Sequence, residues 1–122
     1  MKATIYHNPR CSKSRQTYQI LDEAGLDIEE IRYLDNPPSV EELDQLCQAM
    51  GVEPIEITRT KEALFKALEL SKDDVRSRKE WLQILVENPR LIERPIVKIG
   101  NQVVMGRPPE NVKAILPSKT QK

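Results

Sequence analysis

Residues 7–15 read His7-Asn8-Pro9-Arg10-Cys11-Ser12-Lys13-Ser14-Arg15. This segment connects a predicted strand to a predicted helix. The strand covers residues 2–6 and ends at the turn-prone pair Asn8-Pro9. The helix runs from about Ser12 to Ala24, because apolar side chains recur at helical spacing and Gly25 stands where a helix commonly ends. A cysteine therefore lies at a strand-to-helix turn, just before the first turn of the helix.

A second strand is predicted over residues 28–34 and completes a β-α-β unit. The right-handed crossover of such a unit places its two strands parallel in one sheet. Further along, residues 96–99 and 102–105 predict two more strands, joined by a tight turn at Gly100-Asn101. We expect this hairpin to extend the sheet and to make it mixed.

Helices are predicted between these β segments and after them. The first has Ser39 as N-cap and Glu42 three residues later, which is a capping box, and it stops at Gly51. Two others cover residues 61–70 and about 80–86, and a short final helix follows the hairpin. This order of elements predicts an α/β protein with a thioredoxin-like fold, a mixed β-sheet and a helical insertion.

Length and composition predict one domain. The chain has 122 residues, of which 39% are apolar and 31% are charged, as is usual for soluble globular domains. We assign residues 1–117 to a single domain and residues 118–122 to a flexible C-terminal tail. The 19 basic residues balance the 19 acidic ones, whereas nucleic-acid binding usually goes with a basic excess.

The sequence also predicts no membrane span and no bound metal. No segment approaches the roughly 18 apolar residues of a transmembrane helix, and the N-terminus lacks the apolar core of a signal peptide. We therefore expect a cytoplasmic protein. With one histidine and two cysteines, the chain has neither the paired ligand spacing of a zinc site nor enough cysteines for a disulfide framework.

Cys11 has the setting of a reactive thiol. A helix N-terminus carries unpaired N–H groups and about half a positive charge, and both stabilise an anion. Arg10, Lys13 and Arg15 add positive charge nearby. Such surroundings lower a thiol pKa from its ordinary value of about 8.5, and the same groups would hold an oxyanion against the sulfur. The alternative is a small buried cysteine beside a solvated charged face.

The second cysteine and two residues near Cys11 give weaker indications of function. Cys47 lies in the middle of a predicted helix, on its apolar face, and we interpret it as a core residue. Ser14 occupies the position where a dithiol oxidoreductase has its second cysteine, so electrons must come from another molecule. His7 has three possible roles: a hydrogen bond within the loop, depression of the Cys11 pKa, or simply the end of the strand.

Several motifs together resemble those of the glutaredoxin-dependent arsenate reductase family, in particular its shorter members, and the match covers nearly the whole chain. The motifs are His-Asn-Pro-x-Cys-x-x-Ser-Arg over residues 7–15, Asn36-Pro37-Pro38, Glu93-Arg94-Pro95-Ile96-Val97 and Gly106-Arg107-Pro108-Pro109-Glu110. The chain lacks the C-terminal extension of longer members. Arg10 and Ser12-Lys13 replace smaller, less charged residues of some members.

The resemblance implies a reaction and a set of residues. Cys11 would attack arsenate and form a thiol-arsenate adduct, and Arg59, Arg94 and Arg107 would surround the oxyanion. Pro95 would be the cis-proline of the fold, opposite the cysteine. Glutathione would be a co-substrate and glutaredoxin the reducing partner, with no bound cofactor, and the outcome would be arsenic detoxification.

The residues themselves agree with this assignment in two cases. Arg94 and Arg107 flank the predicted hairpin, so they come to the same end of it, and guanidinium forks match the geometry of an oxyanion. Without the resemblance, ordinary solvated arginines would be an equal alternative.

Two other functions stay open. The first is a regulator resembling the Spx group, which has this fold and binds RNA polymerase. Its members typically carry Cys-x-x-Cys, which Ser14 interrupts here. The second is a monothiol glutaredoxin-like thiol transferase, which would act on glutathione mixed disulfides and would not need an arginine triad.

Overall fold

The N-terminal elements form the predicted β-α-β unit in a computed structural model that describes residues 2–117. Strand β1 spans Lys2–Tyr6, helix α1 spans Ser12–Glu23 and strand β2 spans Asp27–Ile31. The two strands are parallel, with Tyr6 opposite Ile31. The prediction that β2 reaches Leu34 is wrong. Its partner β1 ends at Tyr6, opposite Ile31, so no strand among residues 2–117 pairs with residues 32–34.

The predicted hairpin is confirmed and makes the sheet mixed. Strand β3 spans Ile96–Ile99 and strand β4 spans Gln102–Met105, and the two are antiparallel. Gly100 in the turn has a φ of 62°, which a glycine adopts without strain. Strand β3 also pairs antiparallel with β1, which gives a four-stranded sheet of order β2-β1-β3-β4.

One face of this sheet packs against α1 and a C-terminal 3-10 helix over Pro109–Ile115. The final helix was predicted, and its 3-10 form suits its sequence because the buried Pro109, Val112 and Ile115 recur every three residues. The fully or nearly fully buried side chains of this core are Ala3, Ile5, Leu21, Val97, Ile99, Val112 and Ile115.

Between β2 and β3 the chain is mainly helical, as predicted. Helix α2 spans Val40–Met50. It begins at Ser39, whose side chain accepts a hydrogen bond from the Glu42 N–H at 3.0 Å, and it ends at Gly51, which has a φ of 72°. Both ends of this helix are therefore as predicted.

The next two helices correct the predicted boundaries. Helix α3 covers Ala63–Ala67, not residues 61–70, because Phe65 alone of its residues is buried and Glu69 has a φ of 60°, which is not helical. Helix α4 covers Arg78–Glu87 and starts earlier than predicted. Its N-cap, Ser77, forms a complete capping box with Glu80. Short 3-10 helices at Pro54–Ile57 and Pro89–Leu91 were not predicted.

The described residues form two compact units. One consists of the segments up to Arg32 and from Arg94 onward, and the other of Tyr33–Glu93. The assignment of residues 1–117 to one domain stays a prediction, and the predicted tail over 118–122 lies outside the described residues. The α/β, thioredoxin-like arrangement with a helical insertion in the chain is confirmed. Over residues 2–117, no helix has both the length and the apolar character needed to cross a membrane.

Candidate active site

Cys11 is the N-cap residue of α1, at the strand-to-helix turn that the sequence predicts. Its backbone is extended, with φ −94° and ψ 124°, and its carbonyl accepts the first helical hydrogen bond from the Arg15 N–H at 3.0 Å. The Cys11 N–H in turn donates to the Asn8 carbonyl at 2.9 Å. The side chain is nearly buried, with 9% of its surface exposed. The sulfur therefore faces the N–H groups of the first helical turn.

The pKa of Cys11 is lowered below its ordinary value. Burial is the largest single influence and raises the pKa, but hydrogen bonds and charge outweigh it. The backbone N–H of Ser14, the charge of Arg94, the backbone N–H of Lys13 and a hydrogen bond from the Arg94 side chain all favour the thiolate. The site thus produces a nucleophilic thiolate more readily than a free cysteine does.

Arg94 is a half-buried arginine beside the Cys11 thiol. Its Nε and Nη1 are buried, and neither has a hydrogen-bond partner among residues 2–117. A buried charged donor without an acceptor is costly, so these two nitrogens are available to an acceptor that binds there. The Arg94–Pro95 peptide bond is cis, as the resemblance implies.

The loop before Cys11 is held by Ser14. Its fully buried hydroxyl accepts a hydrogen bond from the Asn8 N–H at 3.0 Å and lies 2.7 Å from Nδ1 of His7. Burial lowers the pKa of His7, and this outweighs the opposite effect of Glu30. His7 is therefore neutral at neutral pH, and the structure gives it the first of its three roles, a hydrogen bond within the loop.

Arg15 closes the same loop from the helix side. Its Nη1 donates to the Pro9 carbonyl at 2.9 Å, and the Asn8 side chain accepts from the Arg10 N–H at 3.0 Å. Arg15 is exposed. Because it also donates to the Pro9 carbonyl, it stabilises the loop backbone as well as adding positive charge.

Arg107 directly follows Gly106 at the end of β4, and the hairpin brings its backbone close to that of Arg94. The Gly106 N–H donates to the Pro95 carbonyl at 2.8 Å, continuing the ladder one step beyond the pair Ile96 and Met105. Arg107 itself is exposed. The expectation that the two arginines flank the hairpin at one end is confirmed.

Comparison with known proteins identifies the family of this site. The ArsC family matches residues 6–115. The chain belongs to the ArsC family. It is 41% identical over 117 residues to an arsenate reductase of Haemophilus influenzae, covering 95% of this chain and all of that protein. It is also 43% identical over 113 residues to the uncharacterized protein YfgD of Escherichia coli, covering 92% of this chain and 94% of that protein.

Solved structures agree with this ArsC-family assignment. The structure of an arsenate reductase from Vibrio cholerae superposes with a TM-score of 0.90 at 46% identity, covering 95% of this chain and 98% of the other. The resemblance drawn from the motifs around Cys11, Arg94 and Arg107 is therefore confirmed at the level of the family. The roles of the individual residues stay predictions.

The remaining predicted site residue, Arg59, lies in the unit formed by Tyr33–Glu93. Its Nη1 forms an ion pair with Glu62 at 2.9 Å, and its Nε is 4.0 Å from a carboxylate oxygen of Glu93. In this arrangement Arg59 is paired with carboxylates, unlike the two unpartnered nitrogens of Arg94. Its part in an oxyanion site stays a prediction.

Cys47 lies on the buried face of α2, and its interpretation as a core residue is confirmed. None of its surface is exposed, and burial raises its pKa to about 11. Arg78 opposes this shift, but Asp44 and two glutamates reinforce it. Cys47 is therefore a protonated, inert thiol at neutral pH.

The sequence reading missed two polar residues next to the site. The Thr17 hydroxyl donates to the Lys13 carbonyl at 2.8 Å and lies 3.3 Å from the Gly106 carbonyl. The Asn111 side chain donates to the Met105 and Arg107 carbonyls. A threonine on a helix and an asparagine after a proline pair are common, so nothing in the local sequence distinguishes them.

Proposed function

We propose that this ArsC-family chain reduces arsenate to arsenite with Cys11 as the nucleophile, at an oxyanion site that includes Arg94. The observation that carries the proposal is the pair of buried Arg94 nitrogens without a partner among residues 2–117, beside a thiol with a lowered pKa. An oxyanion between sulfur and guanidinium would accept both N–H groups. Relatives that are named arsenate reductase make arsenate the first substrate to test.

In the first step, the Cys11 thiolate attacks arsenic. A sulfur–arsenic bond forms as an arsenic–oxygen bond breaks, and the departing oxygen takes up protons and leaves as water. Arg94 and the first-turn N–H groups of α1 stabilise the negative charge on the remaining oxygens. We assign Arg107 to the same anion as an additional ligand, and the part that the resemblance gives to Arg59 stays a prediction.

In the second step, an external thiol supplies the reducing electrons. Glutathione attacks the Cys11 sulfur, a disulfide bond forms, and the electron pair of the sulfur–arsenic bond stays on arsenic, which leaves as arsenite. Two thiol sulfurs have then been oxidised and arsenic has gained two electrons. Glutaredoxin attacks the glutathione sulfur of the mixed disulfide and regenerates the Cys11 thiolate.

The need for an external thiol follows from the cysteines of the chain. Ser14 replaces the nearby second thiol of a dithiol site, and Cys47 is fully buried with a pKa raised to about 11. Neither residue supports attack on a Cys11 adduct. Such chemistry suits the cytoplasm, where thiols are kept reduced, and needs no bound cofactor.

A coupled assay tests both the reaction and the electron donor. NADPH oxidation is followed with arsenate, glutathione, glutathione reductase and glutaredoxin, and each component is left out in turn. We expect turnover only with the complete mixture. Without glutaredoxin, intact-mass spectrometry should detect a glutathione adduct on Cys11, which Cys11→Ser loses and Cys47→Ala keeps. Arsenate-independent rates in every mixture would refute the proposal.

The same preparation distinguishes the other two functions. Reduction of glutathione mixed disulfides without any arsenate turnover would assign a thiol transferase. Co-purification of the chain with RNA polymerase, again without turnover, would assign a regulator.

A further inference from the structure

The backbone just before Arg107 packs closely against α1 at Gly106. The Gly106 N–H donates to the Pro95 carbonyl at 2.8 Å, and the Gly106 carbonyl lies 3.3 Å from the buried Thr17 hydroxyl. A Cβ at Gly106 would lie 2.8 Å from Thr17 Oγ1 and 2.9 Å from Pro95 Cγ, so any larger residue would clash. The segment is thus fixed at Gly106 on the side that faces the helix bearing Cys11.

On the other side, a single amide spans the two carbonyls that flank this glycine. Nδ2 of Asn111 donates to the Met105 carbonyl at 3.0 Å and to the Arg107 carbonyl at 3.1 Å. The Asn111 backbone N–H donates to the Pro108 carbonyl at 3.0 Å. One exposed residue of the C-terminal 3-10 helix therefore hydrogen-bonds to the backbone of Met105, Arg107 and Pro108.

We propose that Asn111 is a positioning residue for Arg107 and so for the bound oxyanion, an inference that rests on the proposed function. A long arginine side chain reaches an anion with a fork of fixed geometry, so the useful placement of that fork depends on where its backbone is held. Asn111 fixes the carbonyl of Arg107 itself. Its NH₂ group has one N–H for each carbonyl, which a carboxylate or a methyl group at this position does not provide.

The test measures arsenate binding and the Cys11 pKa in one assay. Iodoacetamide alkylates Cys11, and added arsenate protects it, so the alkylation rate at a series of arsenate concentrations gives a Kd. The pH dependence of the unprotected rate gives the pKa. For Asn111→Ala we expect the Kd for arsenate to rise about three- to tenfold. The pKa of Cys11 should not move, because the Ser14 and Lys13 N–H groups and Arg94 set it.

Two further variants test whether the effect comes from the two N–H donors of Asn111. Asn111→Asp keeps the shape of the side chain but removes both donors, so it should weaken arsenate binding at least as much as Asn111→Ala. Asn101→Ala changes an exposed asparagine in the turn at the opposite end of the hairpin and should leave the Kd unchanged. Thermal melting of each variant verifies that it is folded.

A double-mutant cycle with Arg107→Ala decides whether Asn111 acts through Arg107. We expect Arg107→Ala to weaken arsenate binding and Asn111→Ala to add nothing in that background. Equal effects of Asn111→Ala with and without Arg107 would overturn the inference, and so would an unchanged Kd in Asn111→Ala while Arg107→Ala weakens binding. If Arg107→Ala leaves the Kd unchanged, the proposed anion role of Arg107 fails first and the inference falls with it.

Discussion

The two cysteines of the chain are both buried, yet their pKa values are shifted in opposite directions. Cys11 is 9% exposed and has a lowered pKa, whereas Cys47 is fully buried and has a pKa raised to about 11. In both cases burial is the largest influence, and in both it raises the pKa. The difference therefore lies in what surrounds the sulfur, not in exposure.

Position on the helix supplies that difference. In the interior of α2, backbone N–H groups donate to carbonyls one turn earlier, so few remain for a thiolate at Cys47. At the N-terminus of α1, the N–H groups of Lys13 and Ser14 have no carbonyl partner one turn earlier in the helix, and both lower the pKa of Cys11. The neighbouring arginines differ too. Arg78 donates to Asp44 at 2.7 Å and pairs with Glu53 at 3.1 Å, so only its Nη2 has no partner among the described residues, whereas both Nε and Nη1 of Arg94 have none.

The largest expected contrast is in activity. Cys11→Ser should lower arsenate turnover at least about a thousandfold, because a hydroxyl does not replace the thiolate as nucleophile and electron donor. Cys47→Ala should keep kcat/KM within about threefold and lose about 1 kcal/mol of stability, since a small buried side chain is removed. Turnover in the coupled assay and urea unfolding provide these values. Comparable losses of turnover in both variants would mean that the two thiols share the chemistry.

The second contrast is in chemical reactivity. At pH 7, iodoacetamide should alkylate Cys11 at least about a hundredfold faster than Cys47, because the fraction of thiolate follows the pKa. The midpoint for Cys11 should lie below the ordinary value of about 8.5. Peptide mapping after timed alkylation measures both rates. In urea the two rates should converge, and a midpoint at or above that of a free thiol in the folded protein would remove the activated thiolate.

The helix N-terminus and its thiol could be predicted because local signals were sufficient. Asn8-Pro9 marks the end of β1 and Gly25 marks the end of α1. Cys11 comes two residues after Pro9, which places it at the start of the helix, where the structure has it as N-cap. The capping box of Ser77 and Glu80 is an equally local signal, since the two residues are three positions apart. Features that depend on residues within four positions of one another can therefore be predicted from the sequence.

Features that depend on tertiary packing could not be predicted from the sequence. Leu64, Phe65 and Leu68 have helical spacing, but Leu68 is 41% exposed, so no buried face sustains a helix as long as residues 61–70. Asn111 likewise acquires its role by donating to the Met105 and Arg107 carbonyls, which the end of β4 presents. Neither outcome can be read from the spacing of residues.

The third contrast concerns Arg94, which lowers the pKa of Cys11 by its charge and by a hydrogen bond, whereas Arg78 lowers the pKa of Cys47 by its charge alone. Arg94→Ala should lower kcat/KM for arsenate roughly ten- to a hundredfold, since a hydrogen bond to a charged group is worth about 1.5–3 kcal/mol. It should also raise the Cys11 pKa. Arg94→Lys should recover part of the loss, because it keeps the charge without the planar fork.

Arg90→Ala is the matched control for this prediction. Arg90 is an exposed arginine that pairs with Glu62 at 3.1 Å, so its removal changes the net charge by the same amount. Its kcat/KM should stay close to that of the unmodified chain. A folded Arg94→Ala variant with unchanged kcat/KM would remove the oxyanion site from the proposed function.

The smallest expected effect is on stability, and its sign differs between the two thiols. The folded pKa of Cys47 is about 11, above the value of about 8.5 for an unfolded thiol, so its contribution is complete below pH 8.5 and is lost as the pH rises towards 11. The free energy of unfolding, measured in urea, should therefore fall more steeply with pH for the unmodified chain than for Cys47→Ala. The difference should approach about 2 kcal/mol by pH 10.5, and the comparison with Cys47→Ala cancels the titration of tyrosines and lysines. For Cys11 the folded pKa is the lower one, so its contribution is present above the unfolded value and is lost as the pH falls through the folded value. Parallel curves for the unmodified chain and Cys47→Ala from pH 8 to 10.5 would show that the two thiols do not differ as their surroundings predict.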